Sequence, residues 1–201
     1  MDFQSYKSYF HSILTTEVTT APYNDPEYLN YATLNWFRQQ RWLGRAVINT
    51  ELATLIGNLP AQKWIFITEP WCGDAAHILP FISLLLESNS SIVLDIRQRD
   101  VEPFIINDYL SGHSKSIPKF IIRTIEGKDL FVWGSRPRAC QQLYDRLIAE
   151  GTTHDELEIA LQRWYNQDKG VSFQMELLEG LKNRLTTPKA SKAKNSLSNS
   201  E

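Results

Sequence analysis

Lys63 to Ala75 reads KWIFITEPWCGDA. Its first six residues, Lys63 to Thr68, are apolar and rich in β-branched side chains, the pattern of a strand buried on both faces. Glu69-Pro70-Trp71-Cys72-Gly73-Asp74 is a turn, and the apolar stretch from Ala75 to about Ser88 reads as a helix with Pro80 inside it. A cysteine at such a strand-to-helix junction faces free backbone amides and the positive end of the helix dipole. Both favour the thiolate, which is the nucleophilic form. Buried inert cysteines are common, but a turn bounded by Trp71 and Gly73 is a poor place to hide a thiol.

The pattern continues on both sides. Downstream, Ser91 to Ile96 (SIVLDI) predicts a second buried strand, Val101 to Leu110 a helix, and Pro118 to Arg123 (PKFIIR) a third strand. Asp129 to Trp133 (DLFVW) predicts a fourth, paired with the third across Glu126-Gly127-Lys128 as a hairpin. Pro137 to about Glu150 predicts a closing helix. The order β-α-β-α-β-β-α from 62 to 151 is that of an α/β sandwich. Upstream, Phe3 to Leu14 predicts a helix, and Asp25-Pro26-Glu27 has the cap, first-turn proline and acid of another. Leu29, Ala32, Trp36, Gln40 and Leu43 carry that helix to Gly44. After 151, Thr153 and Glu156 have capping-box spacing ahead of Leu157, Leu161 and Trp164. Phe173, Leu177, Leu181 and Leu185 form a further stripe. The Ser, Lys, Asn and Ala tail from 188 to 201 is expected to be disordered. The chain therefore divides into a helical extension (1–61), the α/β unit (62–151), C-terminal helices (152–187) and a tail.

Composition narrows the function classes. The 201 residues carry 21 lysines and arginines against 23 acids, so no basic excess argues for nucleic-acid binding. Hydrophobic residues make up 42%, enough for a core. The apolar runs, such as Ile78 to Leu86, are too short to span a bilayer. Met1-Asp2-Phe3-Gln4-Ser5 lacks a basic region followed by an apolar one, so the cytoplasm is the expected location. Two cysteines, Cys72 and Cys140, leave neither a disulfide scaffold nor a cysteine-built zinc site.

The stretch resembles the thioredoxin-like superfamily. It shares the Trp71-Cys72-Gly73 tripeptide at a strand-to-helix turn, Pro80 eight residues after the cysteine, Ile117-Pro118 at the start of a strand, and Gly134 after the next. The resemblance implies a thioredoxin-like sandwich, a mixed central sheet flanked by helices, with helical extensions at both ends. It also implies a cis Pro118 facing Cys72, and a substrate groove built from Trp71, Gly73, Asp74, Ile117, Pro118 and Gly134. The departures are as informative. Ala75 stands where a dithiol member has its resolving cysteine, and Phe66 where the family has a buried acid. Asp74 places a negative charge beside Cys72, which opposes the thiolate; Arg136 and Arg138 are candidates to offset it.

Other candidates are weaker. Cys140 reads as structural; acting as a distant resolving thiol would need its Cα within about 7 Å of that of Cys72. His11, His77, His113 and His154 are scattered, and His77 points away from the thiol. Arg41, Arg45, Arg97 and Arg99 read as solvated charges. Two functions stay open. The first is a single-cysteine redox protein forming mixed disulfides through Cys72 with a protein or a low-molecular-weight thiol. The second is a redox-inactive binding or scaffolding module. Neither calls for a metal or organic cofactor, a nucleic acid or a membrane; the helical extensions are a candidate homodimer surface.

Overall fold

Every position of KWIFIT but Lys63 is buried, and burial on both faces is what puts a strand in the middle of a sheet. A computed structural model describes residues 1–16 and 20–186; the expected tail and the side chain of Leu185 lie outside that description. Four strands, β1 (Gln62–Thr68), β2 (Ile92–Gln98), β3 (Lys119–Thr124) and β4 (Asp129–Trp133), form one sheet in the order β2-β1-β3-β4. β1 runs parallel to β2, with Phe66 opposite Ile96, and antiparallel to β3, with Phe66 opposite Phe120. β3 and β4 pair antiparallel as the expected hairpin, with a register shift between Ile122 and Arg123.

Seven α-helices accompany the sheet among the described residues: α1 (Phe3–Thr15), α2 (Pro26–Arg45), α3 (Thr50–Gly57), α4 (Gly73–Leu85), α5 (Arg138–Ala149), α6 (His154–Asp168) and α7 (Val171–Thr186). Local chemistry sets their starts. Asp25 accepts from the Glu27 amide ahead of Pro26, and Asn49 accepts from Leu52. Thr153 and Glu156 close the predicted capping box at α6. None of the helices is long and apolar enough to cross a membrane.

One predicted helix is not there. Between Val101 and Leu110 only a single 3-10 turn, Ile105–Asp108, forms. Pro103 has no N–H and disfavours helical backbone at Glu102. Phe104 then adopts the left-handed conformation, at φ 52°, which no right-handed helix accommodates. The apolar spacing of this segment buries Ile106 without a helix to carry it.

The core is aromatic along one line. Trp64 of β1 meets Phe120 of β3 edge-on at 5.2 Å, and Phe120 meets Phe173 of α7 at 6.3 Å. Trp133 of β4 meets Phe173 at 5.0 Å. Edge-to-face pairs at these distances add to the stabilisation from burial alone. Phe173, Leu177 and Leu181 of the predicted α7 stripe are all buried, so the C-terminal helix completes the core of the sheet. On α6 the inward positions are Leu157 and Tyr165, with Leu161 and Trp164 half-buried beside them.

His77 of α4 locks α2 and α6 to that helix. The Trp42 indole N–H donates to its Nδ1 at 2.8 Å, which leaves the ring proton on Nε2 to be donated to Gln162 Oε1 at 3.0 Å. Tyr165 stacks flat on the ring at 4.4 Å. Protonating Nδ1 would set two donors against each other. Burial, with Arg38 and Arg41 nearby, lowers the His77 pKa to about 3 despite the bond to Gln162. An unfolded histidine titrates near 6.5, so the folded state resists a proton that the unfolded state takes up. The contribution is therefore complete above pH 6.5 and lost as pH falls from there towards 3. We expect urea midpoints of the wild type to fall more steeply over that interval than those of His77→Gln, with the two profiles parallel above pH 7.

Candidate functional site

Cys72 occupies the N-cap of α4, and its backbone is tied to the end of β1 by an N–H bond to Glu69 O at 2.9 Å. The side chain turns to Ile117, whose carbonyl oxygen accepts from Sγ at 3.6 Å. The Ile117–Pro118 bond is cis, as the resemblance implies. Pro118 is buried, and Gly134 lies against its carbonyl. A Cβ at Gly134 would stand 2.2 Å from Pro118 O, and Gly134 has φ +126°, a conformation that L side chains avoid. A glycine is therefore required for the loop after β4 to approach the loop before β3.

These residues line a groove of about 850 Å³ that holds Trp71, Cys72, Gly73, Asp74, Ile117 and Gly134. Pro118, expected in that groove, is buried and does not line it. Trp71 is the standing wall. Arg99 lies over its ring at 4.7 Å and Tyr28 meets its edge at 5.8 Å. Arg99 is thus a stacked groove residue rather than a solvated charge, because the turn after β2 delivers it to the indole. Opposite, Arg136 stacks on Tyr144 at 4.3 Å. The α4 N-terminus is held from α2: Asn35 donates to Pro70 O at 3.0 Å and accepts from Arg38 at 2.7 Å.

Asp74 points inward rather than into solvent. Arg136 Nη2 lies 2.9 Å from its Oδ2, and the Tyr165 hydroxyl donates to its Oδ1 at 2.7 Å. Of the two arginines expected to offset this charge, Arg136 does so. Arg138 instead turns to Glu176 and Glu179, because α7 passes that end of α5. Burial still pushes the Asp74 carboxyl above its ordinary value, against the pull of Arg136 and Tyr165.

Opposing effects meet at the thiol. Burial pushes the Cys72 pKa up to about 12, the Asp74 charge adds to the rise, and the amides of Ala75 and Asp74 with Arg136 pull against it. The favourable helix terminus expected for Cys72 is present, but only 5% of the residue is exposed and desolvation outweighs it. The S–H bond to Ile117 favours the neutral form as well. Cys140 is fully buried, both cysteines are free, and burial raises its pKa to about 12 also. Phe66 is fully buried against Phe120 at 6.3 Å, so apolar packing fills the position of the family's acid.

Tyr165 and Arg38 escaped sequence reading. Neither lies in a local motif, and Tyr165 reaches the site from a helix outside the α/β unit. Among the described residues no group of three or more histidine, cysteine or acidic side chains is arranged to hold a metal ion.

Two substitutions test this geometry. Asp74→Asn removes the nearest negative charge and frees Arg136, so the Cys72 titration midpoint should fall by about one pH unit, read by thiolate absorbance against pH. Gly134→Ala should cost about 3 kcal/mol or more through overpacking and left-handed strain, read by urea denaturation.

A family model described as thioredoxin matches residues 23–150, a span that takes in α2 and α3 as well as the sheet. No curated protein matches the chain. Among solved structures, a protein of unknown function from Pseudomonas aeruginosa is 15% identical, with 90% of this chain and 98% of that one covered at a TM-score of 0.48. An HIV epitope-scaffold is 13% identical, with 90% and 99% covered at a TM-score of 0.51. The second likeness bears on fold alone.

Proposed function

The chain belongs to the thioredoxin family, and from that premise we propose that it is a single-cysteine thiol–disulfide exchange protein acting through Cys72. The observation that carries this reading is the placement of Cys72 Sγ, 3.6 Å from the Ile117 carbonyl on the wall of an open groove. Ile117, Gly134 and Trp71 shape that groove.

In the exchange step the deprotonated Cys72 sulfur attacks one sulfur of a substrate disulfide. A new S–S bond joins Cys72 to the substrate, the original S–S bond breaks, and the departing sulfur leaves with the electron pair as a thiolate. Ala75 has no thiol to attack the adduct. An external thiol, from a protein or a low-molecular-weight compound, must therefore displace Cys72 and restore it. A thiol with its pKa pushed up to about 12 supplies little thiolate at neutral pH. The thiolate fraction, and with it the rate, rises about tenfold for each pH unit below that midpoint. We expect iodoacetamide alkylation of Cys72 to climb log-linearly from pH 7 to 10 without the plateau that an ordinary cysteine shows near 8.5.

The same raised pKa favours a second reading, a module that binds polypeptide in this groove without covalent chemistry. Trapping from cell lysate, wild type beside Cys72→Ser, separates the two. Mixed disulfides that persist without engineering, increase with pH and vanish in Cys72→Ser are expected. The same proteins recovered non-covalently from both forms, with no adduct on Cys72, would overturn exchange in favour of binding.

A further inference from the structure

Trp71 also walls a second cavity, of about 690 Å³, which does not contain Cys72. Its chemistry differs from that of the groove. The described lining residues include the rings of Tyr9, Tyr23 and Trp71 and the carboxylates of Glu69 and Asp100, and no lysine or arginine. Asp100 is already paired, with Arg99 Nη2 at 2.6 Å. Glu69 is not. Only 4% of it is exposed; it accepts from the Asp100 amide at 3.2 Å and is also held by the Gln98 side chain and the Arg99 amide, and although the Arg99 guanidinium feels its charge, among the described residues no cationic side chain stands within 4.0 Å of it.

A buried carboxylate normally comes with its cation. Two phenols line the same cavity. Tyr23 is 5% exposed, and its hydroxyl has no hydrogen-bond partner among the described residues. The Tyr9 oxygen accepts from Gln98 Nε2 at 2.7 Å and lies close to the Tyr23 hydroxyl. A carboxylate with no cation in ion-pair contact, a phenol oxygen with no hydrogen-bond partner and the aromatic side chains of Tyr9, Tyr23 and Trp71 in one cavity lining are together the chemistry that holds organic cations. An anion would meet no positive side chain in the lining, and a metal ion would find one unpaired carboxylate.

We propose that this cavity binds an alkylammonium or guanidinium group, with Glu69 as counter-charge and Tyr9, Tyr23 and Trp71 as its walls. Two sources carry that group: a free small cation, or the lysine or arginine side chain of a polypeptide whose neighbouring residues lie in the groove across Trp71. The site does not depend on exchange at Cys72, and its test uses no thiol chemistry.

The full-length, isotopically labelled protein, kept reduced, is titrated with n-butylammonium and methylguanidinium chloride against matched potassium chloride, following backbone and indole resonances. Saturable shifts at Glu69, Tyr23 and the Trp71 indole are expected, with affinity at least tenfold weaker in Glu69→Gln. Tyr23→Phe, a smaller change to the core, should weaken binding several-fold and serves if Glu69→Gln folds poorly. Absence of saturable shifts with either cation, or equal affinity in the wild type and a folded variant, overturns the proposal. Peptides differing only in arginine or citrulline then identify the source. Tighter binding of the arginine peptide than of methylguanidinium, with added shifts at Ile117, assigns a polypeptide; equal affinity of the two cationic probes assigns a free small cation.

Discussion

A carboxylate buried at the first turn of α4 constrains much of what surrounds it. Asp74 is next to the N-cap cysteine, so it cannot leave the site without unwinding the helix start, and it cannot stay uncompensated. Arg136, from the loop after β4, supplies charge, and Tyr165, from α6, supplies a hydroxyl proton. Those two contacts bring three separate parts of the chain to one point beside the thiol. Tyr165 reaches there because its ring lies flat on His77, whose own neutrality is fixed by Trp42. The chain of dependence thus runs from α2 through α4 to α6 and ends at the charge next to Cys72.

The same node sets the character of the thiol. A helix N-terminus alone would favour the thiolate. Here the thiol at that terminus is almost entirely buried and shares its space with an anion, and the neutral S–H finds an acceptor in Ile117. The balance falls on the protonated form.

Most of the sheet is legible in the sequence because each strand is a short apolar run between turn residues, and β1 in particular is buried on both faces. Helix starts are legible where a cap is written locally, at Asp25 and Thr153. The Val101–Leu110 segment misleads because its apolar spacing is right for a helix while Pro103 and Phe104 forbid the backbone. The groove residues from Trp71 to Asp74, with Ile117 and Gly134, are legible through a shared pattern, as is the buried Pro118, and the reason for Gly134 becomes physical only when Pro118 is set against it. Tyr165, Arg38 and the stacked Arg99 are not legible. Each reaches the site by tertiary packing, and no spacing along the chain announces that.

The flat stack of Tyr165 on His77 changes what the C-terminal part of this chain is. An appended helix pair can ordinarily be cut away from an α/β unit, leaving the unit whole. A cut after α5 in this protein would strip the hydroxyl from Asp74, uncover the imidazole and remove Phe173 from the line of rings over the sheet. A protease that cut near residue 151 would therefore release a fragment whose Asp74 keeps Arg136 but has lost its hydroxyl donor.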